Sequence, residues 1–355
     1  MRVFSEIVGE GTATLTGYVL DGSTEMGNAA IRPAVLVLPG GGYFMTSDRE
    51  AEPVALAYLA EGFNAFVLRY RVGAEAPFEH SLADGSAALA WIREHAGAVD
   101  VDPSKLAVVG FSAGGHLAAS LGAVGEHRPD ALVLGYPVTL EQFGPLVGKD
   151  ILDVGSAVTE AMPPTFLFGT SGDSLVPVRN SLDLLAALAA HDVPFESHIY
   201  LLGPHGISLA KPLTAGTAAA MVNASVANWL PESVRFLHDV FGDFTVEGEV
   251  ESYRTLMERR RFGLDASTKR LLADPRAVEV LERHVPQLVG FVGAHPVAEE
   301  LSIRDVAALR PEEFPESTTE ALGEDLERLN HQLEPAVSQL PDTSDGGRPD
   351  LRPTR

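Results

Sequence analysis

Ser112 is flanked by Gly110 and Gly114 in the stretch LAVVGFSAGGHLAAS. The pattern G-x-S-x-G, set between a β-rich run and a helix-forming run, suits a sharp strand-to-helix turn. Small residues on either side let the chain double back, which lifts the serine hydroxyl out of the sheet toward the positive end of the new helix. Such a serine can act as a nucleophile, provided a base and a group that orients the base are at hand. Asp173, in the loop GTSGDSLVPV, and His205, in LGPHGISLA, each follow a strand-like run. The chain order Ser, Asp, His is one in which such arrays occur. Each residue also has a plainer role open to it: Ser112 as a helix N-cap, Asp173 as a turn residue, His205 as an exposed loop imidazole.

A third element is VLVLPGGGYFMTSDREAEPVA, where a strand-like run ends in Gly40, Gly41, Gly42 and Tyr43. Consecutive glycines leave backbone N–H groups unobstructed. In an acyl transfer the N–H groups of Gly41, Gly42 and Ala113, the residue after the serine, are the expected donors to the developing oxyanion. A phosphate cradle is the alternative, but PGGGY lacks the lysine of G-x-x-x-x-G-K-[ST] and the spacing of G-x-G-x-x-G.

Other histidines and acids compete less well. His198 lies within a strand-like run, and His191 ends a helical one. His116 lies on the helix after Ser112, where it is expected to pack or hydrogen-bond beneath the serine. Asp183 falls on a helix and Asp192 in the turn after it. Asp153 stays a rival, because its loop has no clear assignment.

Composition narrows the chemistry. The 355 residues contain no cysteine, which excludes disulfides, thiolate metal sites, iron–sulfur clusters and a cysteine nucleophile. The formal net charge of −23 opposes nucleic acid and an anionic bilayer surface as partners. No apolar run is long enough to span a membrane, and the amino terminus lacks the apolar core of a signal peptide, so the expected location is cytoplasmic.

These residues need a scaffold that gathers strand ends. The runs 34–38, 65–70, 106–110, 131–136, 165–170 and 196–201 read as strands. All but the last are continuously apolar, as expected of a parallel sheet buried on both faces. Helices are expected over 51–61, 81–95, 114–123, 178–191 and 214–229, with antiparallel β structure near 12–20. After about residue 231 strand-like runs become rare, and Glu, Arg, Leu and Pro dominate. The expected organisation is an α/β catalytic domain over 1–230, a helical accessory domain over 231–340 and a disordered tail over 341–355. Within the second, the stretch from Ser267 to Gly290 predicts two short helices divided at Asp274-Pro275, with a further helix starting in LSIRDVAAL.

Taken together, PGGGY with the following SDRE, GFSAGGHLA, TSGDSLVPV and GPHGISLA resemble the α/β-hydrolase superfamily, and within it bacterial esterases of the acetyl-xylan-esterase-like branch. The resemblance covers about residues 15–230. It implies an eight-stranded, mostly parallel sheet with helices on both faces, and hydrolysis of carboxylic esters, often acetyl groups on sugars or small alcohols. Hormone-sensitive-lipase-like relatives carry His before the three glycines, where this chain has Pro39. No long amino-terminal cap precedes the first strand of the parallel set, which predicts a shallow, open site. The expectation is a serine esterase acting on a short acyl ester, an acetylated sugar of the xylan or xylo-oligosaccharide type, with no metal or organic cofactor. The helical domain is a candidate for homo-oligomerisation. A prolyl-oligopeptidase-like peptidase and a non-catalytic binding or scaffold homologue are the alternatives.

Overall fold

The apolar runs form one eight-stranded sheet in the computed structural model, which describes residues 1–11, 13–244 and 262–331. The strands are β1 (Arg2–Val8), β2 (Ala13–Val19), β3 (Arg32–Leu38), β4 (Asn64–Arg69), β5 (Val101–Phe111), β6 (Ala131–Gly135), β7 (Thr165–Thr170) and β8 (Phe195–Tyr200), in the order β1-β2-β4-β3-β5-β6-β7-β8. From β4 to β8 every pairing is parallel, while β1 and β2 add an antiparallel margin. Parallel strands need crossover connections, which are supplied by α1 (Glu52–Ala60), α2 (Phe78–Glu94), α3 (Ala113–Val124), the short α4 (Gly144–Val147) and α5 (Val154–Ala157), and α6 (Arg179–Ala190). A last helix of this unit, α7 (Trp229–Phe241), follows β8.

The strands β3, β6 and β7 are buried at every position, as continuous apolar runs require. The outer strand β8 is only half covered, in keeping with the alternation of FESHIY. Side chains divide by parity between the two faces. Leu36, Leu38 and Val108 join Leu117 of α3 and Leu89 of α2 in one core. On the opposite face Phe168 stacks on Trp229 of α7 with ring centroids 4.6 Å apart, and Phe111 meets the same indole edge-on. Each such buried aliphatic or aromatic side chain contributes roughly 1.5–3 kcal/mol of transfer free energy. The helices α1 and α7 are joined by a Tyr58–Ser233 hydroxyl hydrogen bond of 2.6 Å.

Two expectations change here. Residues 214–229 do not form one helix but 3-10 turns at Pro212–Thr214, Ala219–Met221 and Val226–Asn228. Asn223 accepts the N–H groups of Ser225 and Val226 on its side chain, a local alternative to helical bonding. The change of composition near 231 does not end the first unit, because α7 runs through it and buries Trp229, Leu230 and Leu237. Pro231 sits in the first turn of α7, where no intrahelical N–H bond is lost. The chain divides later, within residues 245–261, which lie outside the described residues.

The second unit has its own helices: α8 (Thr268–Ala273), α9 (Pro275–His284), α10 (Pro286–Ala294), α11 (Ile303–Leu309) and α12 (Glu316–His331). Asp274 both ends α8 and caps α9, its side chain accepting the N–H of Arg276, while Pro286 starts a third helix rather than extending the second. Ser302 and Asp305 form a reciprocal capping box on α11. Leu271, Leu281, Leu288, Ile303, Leu322 and Leu326 fill a core separate from that of the first unit. The expected tail over 341–355 lies outside the described residues.

Candidate active site

Each loop singled out in the sequence leaves the carboxyl end of a parallel strand, where ligands of open α/β sheets bind. Ser112 follows β5, with φ 52° and ψ −117° at the junction with α3. That backbone costs on the order of 1–3 kcal/mol for a residue with a Cβ, and the surroundings must enforce it. They do so by close approach: a Cβ on Gly114 would lie 2.1 Å from the Leu38 carbonyl oxygen and 2.5 Å from that of Pro39. No residue but glycine lets the first turn of α3 press against the end of β3. The same contact brings the glycine loop 40–42 beside Ser112.

Ser112 occupies the N-cap position of α3 without capping it, since its hydroxyl engages no N–H of the helix. Its Oγ lies 2.8 Å from Nε2 of His205, whose Nδ1 is 2.7 Å from Oδ2 of Asp173. The other Asp173 oxygen accepts the N–H groups of Leu175 and Val176, both at 2.9 Å, so the carboxylate is held at both ends. A carboxylate only accepts, so the His205 proton sits on Nδ1 and Nε2 accepts from the serine hydroxyl. The side chain of Asp173 is 2% exposed and that of His205 13%, neither a free loop group. The rival Asp153 caps α5 by accepting the N–H of Ser156.

Gly41, Gly42 and Ala113 line the same cavity as Ser112 and His205. Gly41 has φ 131°, and a Cβ there would come within 2.2 Å of the Met45 carbonyl oxygen. Gly40 is spent differently, donating its N–H to Oε2 of Glu50 at 2.9 Å. The cavity measures about 580 Å³ and carries an apolar wall of Val138, Phe143, Leu146, Val147 and Ile151. The expected shallow site is therefore replaced by a walled one. The amino-terminal strands lie at the far margin of the sheet, but the β6–β7 connection, which shows no periodicity in the sequence, supplies the wall. It is fastened from below, where Lys149 donates to the Gly73 carbonyl at 2.7 Å and His116 Nε2 lies 2.8 Å from the Leu152 oxygen.

His116 is fully buried and also bonds Tyr43 at 2.7 Å through Nδ1. Its proton is on Nε2, facing the carbonyl, and Nδ1 accepts from the tyrosine hydroxyl. Burial pulls its pKa down from 6.5 to about 4, against the pull of the Leu152 carbonyl and Asp153. Between these values the unfolded chain binds a proton that the folded chain refuses. Stability is therefore lost as pH falls through that window, by about 3 kcal/mol from this group. Urea midpoints should drop from pH 7 to pH 4.5 more steeply in wild type than in His116→Gln, and parallel pH dependences would refute the assignment.

Three residues of the site lay beyond the sequence reading. Glu50 is a buried carboxylate whose only signal was its place in SDRE, and Tyr136 ends the run ALVLGY with nothing to mark it as polar in role. Arg49 lines the cavity and donates to the Thr214 carbonyl at 3.3 Å. Among the described residues no cluster of His, Asp or Glu is placed to hold a metal ion, and no helix is long and apolar enough to cross a membrane.

A mostly parallel sheet covered on both faces, with a serine on the turn from its fifth strand, defines the architecture of the serine-centred α/β hydrolases. The BD-FAE family model matches residues 21–139. MGS-M1, an α/β-hydrolase enzyme from a Medee basin deep-sea metagenome library, is 41% identical with a TM-score of 0.64, over 67% of this chain and 97% of that one. An acetyl ester-xyloside bifunctional hydrolase from Caldicellulosiruptor lactoaceticus is 34% identical with a TM-score of 0.56, over 65% of this chain and 89% of that one. The endo-1,4-β-xylanase B of Butyrivibrio fibrisolvens is 32% identical over 210 residues, which are 51% of this chain and 33% of that protein. The chain belongs to the α/β-hydrolase superfamily. It spans less than two thirds of the length of the curated relatives it matches.

Proposed function

We propose that the protein hydrolyses carboxylic esters through a covalent acyl-enzyme on Ser112. The observation that carries this reading is the unbroken hydrogen-bonded chain from Asp173 through His205 to the Ser112 hydroxyl, which opens on the cavity. Ser112 Oγ bonds to the ester carbonyl carbon as the C=O π pair moves onto oxygen, and the hydroxyl proton passes to His205 Nε2. The N–H groups of Gly41, Gly42 and Ala113 receive that oxyanion. The tetrahedral intermediate collapses with loss of the alcohol, which takes the proton from His205. Water then repeats the sequence, giving its proton to His205 and releasing the acid. None of these steps calls for a cofactor.

For the finer specificity we favour a short acyl group, acetyl first, on a carbohydrate alcohol, supported by the similarity to the acetyl ester-xyloside hydrolase. Acetate release from acetylated xylo-oligosaccharides, set against simple acetates and butyrates, tests it. Sugar acetates hydrolysed no faster than simple acetates would remove the carbohydrate preference. One observation favours a second reading: Phe143, Leu146, Val147 and Ile151 wall the cavity with apolar surface that a sugar does not need. On that reading the wall receives an apolar half of the substrate. Ile151→Trp, which fills the wall, should then lower kcat/KM for a 4-nitrophenyl butyrate relative to the acetate by roughly tenfold. An unchanged ratio would remove the wall from acyl selection.

A further inference from the structure

Glu50 is 3% exposed, immediately beneath the proposed machinery, and the acyl-transfer steps do not use it. Its two oxygens are divided between two loops: Oε2 accepts the Gly40 N–H at 2.9 Å and Oε1 accepts the Tyr136 hydroxyl at 2.6 Å. The Tyr136 oxygen in turn accepts the N–H of Ser208 at 2.9 Å, and Ser208 Oγ donates to the Arg49 carbonyl at 2.5 Å. The Ser208 carbonyl accepts from the Trp229 indole at 2.9 Å. One carboxylate thus ties together the ends of β3 and β6 and the loop that carries His205. It is also close to the reacting groups. A Cβ on Gly40 would lie 2.8 Å from Glu50 Oε2 and 3.0 Å from Ser112 Cβ. The Tyr136 ring meets the His205 ring edge-on at 5.1 Å.

The hydrogen-bond count assigns the charge. Tyr136 has one proton, and its oxygen already accepts from Ser208, so that proton is given to Glu50 Oε1, which must be an acceptor. Oε2 faces an N–H and is an acceptor as well. Burial raises the Glu50 pKa, and the Tyr136 hydroxyl, the Gly40 N–H, His205 and Arg49 offset that rise only in part.

We propose that Glu50 is a positioning residue: its carboxylate fixes the glycine loop and the His205 loop around Ser112 and, as a buried anion, favours the cationic form of His205 that acyl transfer creates. No proton moves through Glu50. The groups that face His205 among the described residues are Ser112 on Nε2, Asp173 on Nδ1, the Tyr136 ring and the charge of Glu50, and Arg49 lines the same cavity with the opposite charge. The inference rests on the esterase reading above.

The test compares wild type, Ser112→Ala, Glu50→Gln and Tyr136→Phe in pH profiles of kcat and kcat/KM with 4-nitrophenyl acetate. Glu50→Gln keeps the size and removes the charge. It should lower kcat by about tenfold or more with little change in KM. It should also move the acid limb of kcat/KM to lower pH by roughly half a unit or more, because the imidazolium loses a nearby anion. Tyr136→Phe keeps the carboxyl group but unties the His205 loop and removes one bond that holds Glu50 ionised, so kcat should fall and the acid limb should move less than in Glu50→Gln. A merely structural Glu50 would leave the limb unmoved in both variants, and that result overturns the proposal. If Glu50→Gln does not fold, Tyr136→Phe decides alone, and full kcat in that variant overturns it. Failure of the underlying reading looks different: wild type itself would not turn over the ester, or Ser112→Ala would match it.

Discussion

Ser112→Ala should abolish turnover of 4-nitrophenyl acetate, with kcat falling on the order of 10⁵–10⁶-fold. The fold should survive. The side chain is small and lines the cavity, and its hydroxyl makes its bond to His205 rather than to the α3 cap. Alanine inherits the same φ of 52°, so the backbone strain is neither relieved nor increased. The thermal midpoint and circular dichroism should therefore remain near those of wild type, with a stability change within about 1 kcal/mol. A fluorophosphonate reagent should label wild type and leave the variant unlabelled. The residual rate would come from the glycine-loop donors and from substrate binding alone, which keep a modest advantage over water. Turnover by the variant within tenfold of wild type would remove Ser112 from the chemistry and with it the acyl-enzyme.

The parts of this site legible in the sequence are those where backbone geometry forces residue type. A serine at a positive φ between a buried strand and a helix needs small neighbours, which leaves G-x-S-x-G as a written trace. Strand ends followed by Asp173 and His205 were visible for a similar reason, since β7 and β8 announce themselves by composition and each residue follows its strand within a few positions. Glu50 and Tyr136 leave no such trace. Their significance comes from burial and from partners 10 and 86 residues away in the chain, and neither is encoded by local pattern. The cavity wall was hidden for another reason. The 136–164 connection is built of two four-residue helices and turns, too short for any periodicity to show.

The same logic explains the fold. Continuous apolar strands gave the parallel sheet, but β1 was missed because RVFSEIV alternates weakly and sits on an exposed margin. The stretch 214–229 is rich in alanine and carried a helical signature, yet the Asn223 side chain supplies the bonds that a helix would have used. Pro231 looked like a boundary because proline often is one; in the first turn of α7 it is harmless.

Asp173→Asn should lower kcat by about 10⁴-fold while leaving KM and stability close to wild type. The argument turns on which atom of the new amide faces which partner. In the wild type Oδ1 takes two backbone N–H groups, from Leu175 and Val176, and Oδ2 takes the Nδ1–H of His205. An asparagine has one oxygen, and two fixed N–H donors compete for it against one side chain that can turn over its tautomer. The oxygen therefore stays with Leu175 and Val176, and the NH₂ is directed at His205. Nδ1 must then accept, which moves the ring proton to Nε2 and points it at Ser112 Oγ. In that tautomer His205 cannot take the serine proton, although every heavy atom is where it was. The loss should appear in kcat, and ¹⁵N spectra of the ring should show the protonated nitrogen switched from Nδ1 to Nε2. A variant that keeps the wild-type tautomer and turns over within tenfold of wild type would show that Asp173 holds its loop and nothing more.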